Sequence, residues 1–196
     1  MKVAIVKYNA GNVSSVMHAL DRLGAEHILT DNAEALRSAD KVIFPGVGEA
    51  ATTMDYLRSH GLDSIIKGLA QPVLGICLGQ QLMCSHSEEG DVDCLGIFNV
   101  PVVRFRAASN EDKVPHMGWN GIECTGDALF KGFRRPESVY FVHSFYVPVC
   151  DWTIAQTTYI NPFSAALHKD NFYATQFHPE KSGKIGGKIL CNFLDL

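Results

Sequence analysis

The sequence lacks long apolar runs and an excess of basic residues. Its 196 residues contain no apolar stretch of about 18 or more, the length that a membrane-spanning helix needs. Lys and Arg number 17 against 21 Asp and Glu, so there is no basic stripe to neutralise nucleic-acid phosphates. The first apolar run, residues 3–6, stops at Lys7 and is too short for the core of a signal peptide. We therefore expect a cytoplasmic protein that binds neither membrane nor nucleic acid.

Cysteine pairs of the metal-binding type are also missing. The chain has no C-x-x-C pair, and no two histidines have the spacing of metal ligands, so neither a zinc site nor a cofactor is expected. In a reducing compartment the cysteines should be free thiols, most of them buried as small apolar groups. The six are Cys77, Cys84, Cys94, Cys124, Cys150 and Cys191.

The order of apolar patterns predicts one α/β domain that spans residues 1–196. In the first half, short apolar runs typical of buried strands (3–8, 41–44 and 72–77) alternate with helical periodicity, as over residues 13–23. This alternation predicts a mostly parallel sheet covered by helices on both faces. From Gly96 onward β-type runs follow one another with little helix between them, which predicts that antiparallel strands extend the sheet.

The segment Gly75-Ile76-Cys77-Leu78-Gly79 follows an apolar strand and opens a predicted helix. It is the cysteine version of the nucleophile elbow, a turn so tight that its flanking positions tolerate little except glycine. Such a turn holds Cys77 at a helix N-terminus, which favours the thiolate, and directs the Leu78 amide towards an oxyanion. A buried cysteine in a tight turn is the structural alternative.

A candidate base follows the predicted strand over residues 172–177, in the sequence His178-Pro179-Glu180. Residues two apart in an extended chain point the same way, and the proline keeps His178 extended. The Glu180 carboxylate could then orient the His178 ring, which would take the proton of the thiol and return one to a leaving amine. A histidine at a strand end beside a solvated glutamate is the alternative.

A second glycine-rich turn, Pro45-Gly46-Val47-Gly48, follows the strand over residues 41–44. Residues 46–51 also fit the dinucleotide pattern G-x-G-x-x-A, but that fingerprint belongs in the first strand-to-helix turn, which here is residues 9–12. We predict instead that Val47 and Gly48 complete the oxyanion hole with Leu78, although a plain turn remains open.

Polar residues follow the elbow along the predicted helix over residues 79–87. Gln81 lies one helical turn from Cys77 on the same face. Glu88 and Glu89 stand at the predicted end of this helix, where an acidic group could hold a substrate ammonium. A solvated helix end is the alternative.

These motifs resemble the class I glutamine amidotransferases, whose triad pattern is G-x-C-x-G followed much later by H-P-E. The resemblance spans nearly the whole chain. Further segments are similar to the glutaminase subunits of imidazole glycerol phosphate synthases; they are residues 45–48, 75–82, 87–89, 115–120, 141–144 and 176–182.

The resemblance implies a flavodoxin-like fold and a triad of Cys77, His178 and Glu180 that hydrolyses glutamine through a γ-glutamyl thioester. It implies a heterodimer in which ammonia passes to a (β/α)8 cyclase subunit that makes imidazole glycerol phosphate and aminoimidazole carboxamide ribotide in histidine biosynthesis. The glutamine-binding residues that it implies are Gln81, Glu89, His143 and Ser144. The residues that it implies at the cyclase interface are Met117, Trp119, Asn120 and Lys181.

Two departures from the family pattern and three alternatives remain. Lys7 stands where many relatives have an acidic residue, and Gln80 where many have Met. The glutaminase subunit of pyridoxal phosphate synthase is one alternative, although its relatives have a Gly-rich Glu-Ser turn in place of Pro45-Gly46-Val47-Gly48. The others are a catalytically silent regulatory subunit and a cysteine hydrolase of other γ-glutamyl compounds.

Overall fold

Short apolar segments form the parallel half of the main sheet. The computed structural model describes residues 1–8, 13–46, 48–107, 109 and 112–196. In sheet order, the parallel strands are β2 (Glu26–Thr30), β1 (Lys2–Val6), β3 (Lys41–Phe44), β4 (Val73–Ile76) and β13 (Phe172–Thr175). Every residue of β3, β4 and β13 is buried, as expected for strands covered on both faces.

Antiparallel strands continue the same sheet beyond β13. In order they are β12 (Asn161–Lys169), β11 (Thr153–Tyr159), β8 (His116–Cys124) and β9 (Glu137–His143). Buried and exposed residues alternate along part of β8 and β9, in keeping with one covered face. The predicted α/β class, with a parallel half and an antiparallel extension, is confirmed.

Helices pack on both faces of this sheet. They are α1 (Ser14–Arg22), α2 (Ala33–Ser38), α3 (Ala50–Ser59), α4 (Leu62–Lys67), α5 (Leu78–Leu82) and α6 (Gly183–Leu194). Leu20 of α1 and Phe193 of α6 belong to one core cluster, whereas Leu36 of α2 and Leu57 of α3 belong to the other. Within the described ranges, none of these helices combines the length and apolarity needed to cross a bilayer.

The helix after the elbow is shorter than predicted. It ends at Leu82 and not at residue 87, because the next backbone groups pair elsewhere: the Ser85 amide donates to Val100 O at 3.1 Å. Glu89 therefore does not end the elbow helix. Glu89 instead follows β5 (His86–Ser87), a strand of a second, smaller sheet. The other strands of this sheet are β6 (Val92–Asp93), β7 (Pro101–Arg104) and β10 (Phe145–Tyr146).

The pairing of β4 with β13 brings the two candidate motifs together. Ile76 is in register with Thr175, and the Cys77 amide donates to Thr175 O at 2.7 Å. Because the strands are parallel, the residues after them emerge at the same edge of the sheet. The elbow and the His178 segment therefore meet, although about 100 residues separate them along the chain.

Candidate active site

Cys77 occupies a strained turn between β4 and α5. Its backbone has φ +54° and ψ −107°, a conformation that costs a non-glycine residue about 1–3 kcal/mol. The neighbouring glycines make the turn possible. A side chain on Gly79 would collide with the Phe44 carbonyl, and one on Gly75 would lie 2.9 Å from the Gly79 backbone. The cysteine therefore sits where the predicted nucleophile elbow requires it.

The second glycine turn packs directly on the elbow. A side chain on Gly46 would collide with the backbone of Gly79 and with Leu78, so only glycine permits this approach. Gly48 has φ +126°, which also favours glycine, and lines the same cavity as Leu78. Val47 lies outside the described residues, as does the turn over residues 9–12.

His178 and Glu180 form a buried pair beside Cys77. The His178 Nδ1 lies 2.7 Å from Glu180 Oε1, and each side chain is only 4% exposed. Burial alone would lower the pKa of His178, but Cys77 and Glu180 reverse the direction and raise it to about 10. The other ring nitrogen, Nε2, has no hydrogen bond of ordinary geometry in the described part of the chain. It therefore remains available for proton transfer with the thiol.

The loop that carries His178 is anchored to β9 by its backbone. The His178 amide donates to Tyr140 O at 2.9 Å. The Ser182 hydroxyl donates to His178 O at 2.6 Å and accepts from the Tyr140 amide at 2.9 Å. Sequence reasoning did not single out Ser182 or Tyr140, since both act through a backbone contact that only the folded sheet creates.

A cavity of about 340 Å³ opens at this edge of the sheet. Its size lies within the range of small-molecule sites. Of the residues singled out from the sequence, it is lined by Gly48, Cys77, Leu78, Gln81, Glu89, His143, Ser144, His178 and Lys181. Glu180 lies behind His178, where it borders a separate and much smaller void.

Gln81 and Glu89 present polar groups to this cavity. The Gln81 Nε2 donates to Phe145 O at 2.9 Å and to Gln176 Oε1 at 3.0 Å, and no donor among the described residues bonds the Gln81 Oε1. One carboxylate oxygen of Glu89 accepts from the Ala50 amide at 3.0 Å, at the start of α3. Burial raises the pKa of Glu89, although the Ala50 hydrogen bond opposes the shift.

The His143 ring is engaged inside the protein. Its Nδ1 lies 2.7 Å from Phe145 O, and its Nε2 lies 3.0 Å from His116 Nδ1. Burial lowers the pKa of His143 to about 3 and that of His116 to about 4, so both rings are neutral. With both nitrogens used, the His143 ring is not free to hold a ligand.

Met117 and Trp119 are large apolar side chains exposed on β8, at 63% and 59%. Asn120 differs from these two residues because its side chain is hydrogen-bonded within the protein. Its Nδ2 donates to Thr158 O at 3.1 Å, and its Oδ1 accepts from the Gly121 amide at 2.8 Å. Lys181 is exposed and lines the cavity together with Pro115. Since Pro115 directly precedes β8, the strand that carries Met117 and Trp119 begins at the edge of the cavity.

The remaining cysteines stand apart from Cys77. All six are free thiols. Burial raises the pKa of Cys84 well above its usual range, that of Cys94 to about 12 and that of Cys124 to about 11, which keeps these thiols neutral. Cys191 is exposed on α6.

Comparison with known proteins agrees with this geometry. A family model described as Glutamine amidotransferase class-I matches residues 4–195. A relative from Bacteroides thetaiotaomicron, named Imidazole glycerol phosphate synthase subunit HisH, is 70% identical and the match covers 100% of both chains. A protein of the same name from Pectobacterium atrosepticum is 46% identical, again over 100% of both chains.

Solved structures share the fold at low sequence identity. A crystal structure titled glutamine amidotransferase superposes with a TM-score of 0.75 and 18% identity, over 98% of this chain and 97% of that one. PurLQS from Thermotoga maritima gives a TM-score of 0.72 and 16% identity, over 99% and 97%. At these identities the likeness establishes the fold alone.

Proposed function

The chain belongs to the class I glutamine amidotransferase family, and from that premise we propose that it hydrolyses glutamine to glutamate and ammonia with Cys77, His178 and Glu180 as its catalytic triad. The observation that carries this proposal is the elbow cysteine beside the buried His178–Glu180 pair, at the floor of a cavity of small-molecule size.

The raised pKa of His178 supports a mechanism that begins from an imidazolium beside a thiolate. The Cys77 sulfur attacks the side-chain amide carbon of glutamine, and the oxyanion that forms is stabilised by backbone amides at Leu78 and Gly48. His178 gives its proton to the leaving nitrogen, so ammonia departs and a γ-glutamyl thioester remains. His178 then takes a proton from water, whose oxygen attacks the thioester and releases glutamate.

The cavity offers complementary groups for the amino-acid end of glutamine. The free Oε1 of Gln81 and the second carboxylate oxygen of Glu89 are suited to the α-ammonium group. We propose that His143 and Ser144 act through their main chain, because the His143 ring nitrogens are already hydrogen-bonded. The ring of His143 then supports the site from behind and does not bind substrate.

We further propose that the chain is the glutaminase subunit of a heterodimeric imidazole glycerol phosphate synthase, as the names of its relatives suggest. Ammonia would pass to a (β/α)8 cyclase subunit, which makes imidazole glycerol phosphate and aminoimidazole carboxamide ribotide in histidine biosynthesis. The exposed Met117 and Trp119 beside the cavity support a partner surface there, with Asn120 and Lys181 at its border. The free thiols fit a reducing compartment such as the cytoplasm.

Ammonia release from glutamine tests the proposed reaction. The chain is mixed with the cyclase subunit and its ribonucleotide substrate, and wild type is compared with Cys77→Ala and with Cys191→Ala as the matched control. We expect hydrolysis to be slow alone, to rise with the partner, and to vanish only in Cys77→Ala. Full activity in Cys77→Ala would overturn the assignment of the nucleophile, whereas high activity without the partner would overturn only the coupling.

A further inference from the structure

Gln176 is a fully buried glutamine whose amide lies between two active-site residues. It follows β13 directly and precedes His178 by two residues. Its Nε2 lies 3.7 Å from the Cys77 sulfur, and its Oε1 lies 3.0 Å from Gln81 Nε2. A buried amide needs hydrogen-bond partners, and this side chain finds both of them in the candidate site.

A backbone carbonyl fixes the direction of this amide. Phe145 O can only accept, so the Gln81 atom 2.9 Å from it must be the NH2 group. The same NH2 group faces Gln176, whose nearer atom must therefore be the oxygen. The NH2 group of Gln176 is then left to point at the Cys77 sulfur.

The donor that reaches the sulfur favours one ionisation state. An N–H donor stabilises a thiolate more than a neutral thiol, because the hydrogen bond gains from the charge. The backbone carbonyl oxygen of Val142, which lies 3.8 Å from the sulfur, is an acceptor and suits the protonated thiol. Gln176 therefore shifts the balance towards the reactive form of Cys77.

The same side chain restrains Gln81. The Gln81 NH2 group is shared between Phe145 O and Gln176 Oε1, which leaves its own oxygen towards the cavity. His143 Nδ1 donates to the same Phe145 O at 2.7 Å and so helps to hold that acceptor. One buried amide thus connects the nucleophile to a group that faces the substrate.

We propose that Gln176 is a positioning residue for glutamine hydrolysis, which holds the Cys77 thiolate and the Gln81 side chain in their working orientations. This inference rests on the proposed function and adds a residue outside the triad, the oxyanion hole and the substrate-binding set.

Alkylation of Cys77 by iodoacetamide tests the first part of this inference without glutamine or partner. Gln176→Met keeps the length of the side chain and removes its hydrogen bonds. We expect the pH profile of Cys77 alkylation to move upwards, so that Cys77 reacts about tenfold more slowly on the acidic limb of the profile, the effect of losing one hydrogen bond to a charged group. Mass spectrometry of the Cys77 peptide gives the rate, with the exposed Cys191 as internal reference.

Gln80→Met is the matched control. Gln80 is also fully buried, but its Nε2 bonds Ser164 O at 3.3 Å and it makes no hydrogen bond to Cys77. We expect this variant to alkylate within about twofold of wild type. Equal slowing in both variants would mean that Gln176 acts only through packing, which would overturn the inference.

Steady-state kinetics of the heterodimer test the second part. Gln176→Met should raise the KM for glutamine as well as lower kcat, because Gln81 loses an acceptor. Gln176→Glu keeps an acceptor for Gln81, so its KM for glutamine should stay within about twofold of the wild-type value while kcat falls. This variant also replaces Gln176→Met in the test if Gln176→Met does not fold. If Gln176→Met and Gln176→Glu both alkylate with the pH profile of the wild type, the inference is overturned. If the unmodified chain releases no ammonia from glutamine, the proposed function is overturned instead.

Discussion

At the scale of single residues, the candidate site contains a carboxylate that is almost completely withdrawn from solvent. Glu180 is tied to His178 at 2.7 Å, and the spacing of the two along the chain predicted that they would face each other. The sequence placed Gln176 and Ser182 in a family-like segment, but it could not predict what either side chain contacts, since those contacts depend on the folded sheet. Ser182 bonds the His178 carbonyl from four residues along the chain, and Gln176 reaches Cys77 from the end of the neighbouring strand.

Replacing the charge of Glu180 tests its role. In Glu180→Gln the side chain keeps its shape but no longer stabilises a protonated His178, whose pKa should fall. We expect kcat/KM for glutamine to drop by about 10²–10⁴-fold, the range found for general acid–base groups. Ammonia release by the heterodimer provides the measurement.

Glu88→Gln is the control for this change. Glu88 accepts from the Arg104 amide at 2.8 Å and pairs with Arg106, outside the cavity lining. It should retain wild-type activity. A Glu180→Gln variant that also retains more than half of the wild-type kcat/KM would contradict the proposed triad.

At the scale of secondary-structure elements, α5 and α6 show where sequence patterns succeed and where they stop. The helical pattern after Cys77 runs on to residue 87, but pairing of Ser85 with Val100 and Cys94 ends the helix early. In α6 two adjacent glycines look alike in the sequence but differ in the structure. A side chain added at Gly186 would collide with Pro179 O, whereas one added at Gly187 would meet open space.

These adjacent glycines in α6 should respond oppositely to alanine. Gly186→Ala pushes the helix away from Pro179, between His178 and Glu180, and we expect a loss of about 1–3 kcal/mol in unfolding free energy together with lower activity. The methyl group added in Gly187→Ala has no neighbouring atom within 4 Å, so this variant should stabilise the helix by about 0.5–1 kcal/mol without changing activity. Urea unfolding and ammonia release measure both effects. The same sign of stability change in the two variants would contradict this packing.

At the scale of the whole molecule, the strand order assembles the site. The sequence predicted the α/β class, both motifs and the strands that precede them, because each is a local pattern. It could not predict that β13 would lie beside β4, which depends on pairing over about 100 residues. Nor could it predict that His116 and His143 would form a buried hydrogen-bonded pair across β8 and β9.

This buried histidine pair predicts a dependence of stability on pH. Burial lowers the pKa of His143 to about 3 and that of His116 to about 4, so at pH 5–6 the unfolded chain binds protons that the folded chain does not. Unfolding free energy should therefore fall by about 2 kcal/mol from pH 6 to pH 5. His178 and His86, whose pKa values are raised, contribute the opposite sign but are mostly protonated in both states over this window.

Denaturant unfolding at the two pH values measures this loss. His116→Asn removes one titrating ring while its amide can still donate to His143, so the loss between pH 6 and pH 5 should be about halved. A loss that His116→Asn leaves unchanged would place the acid sensitivity elsewhere in the molecule.

If this chain supplies ammonia from glutamine to a partner that uses it, the amide nitrogen of glutamine must appear in the partner's product. The most direct measurement follows the amide nitrogen. The heterodimer is given the ribonucleotide substrate, glutamine labelled with ¹⁵N in its side-chain amide, and an excess of unlabelled ammonium. We predict that the imidazole product carries the label almost completely. An unlabelled product formed while glutamine is consumed would contradict the transfer of ammonia from this chain to its partner.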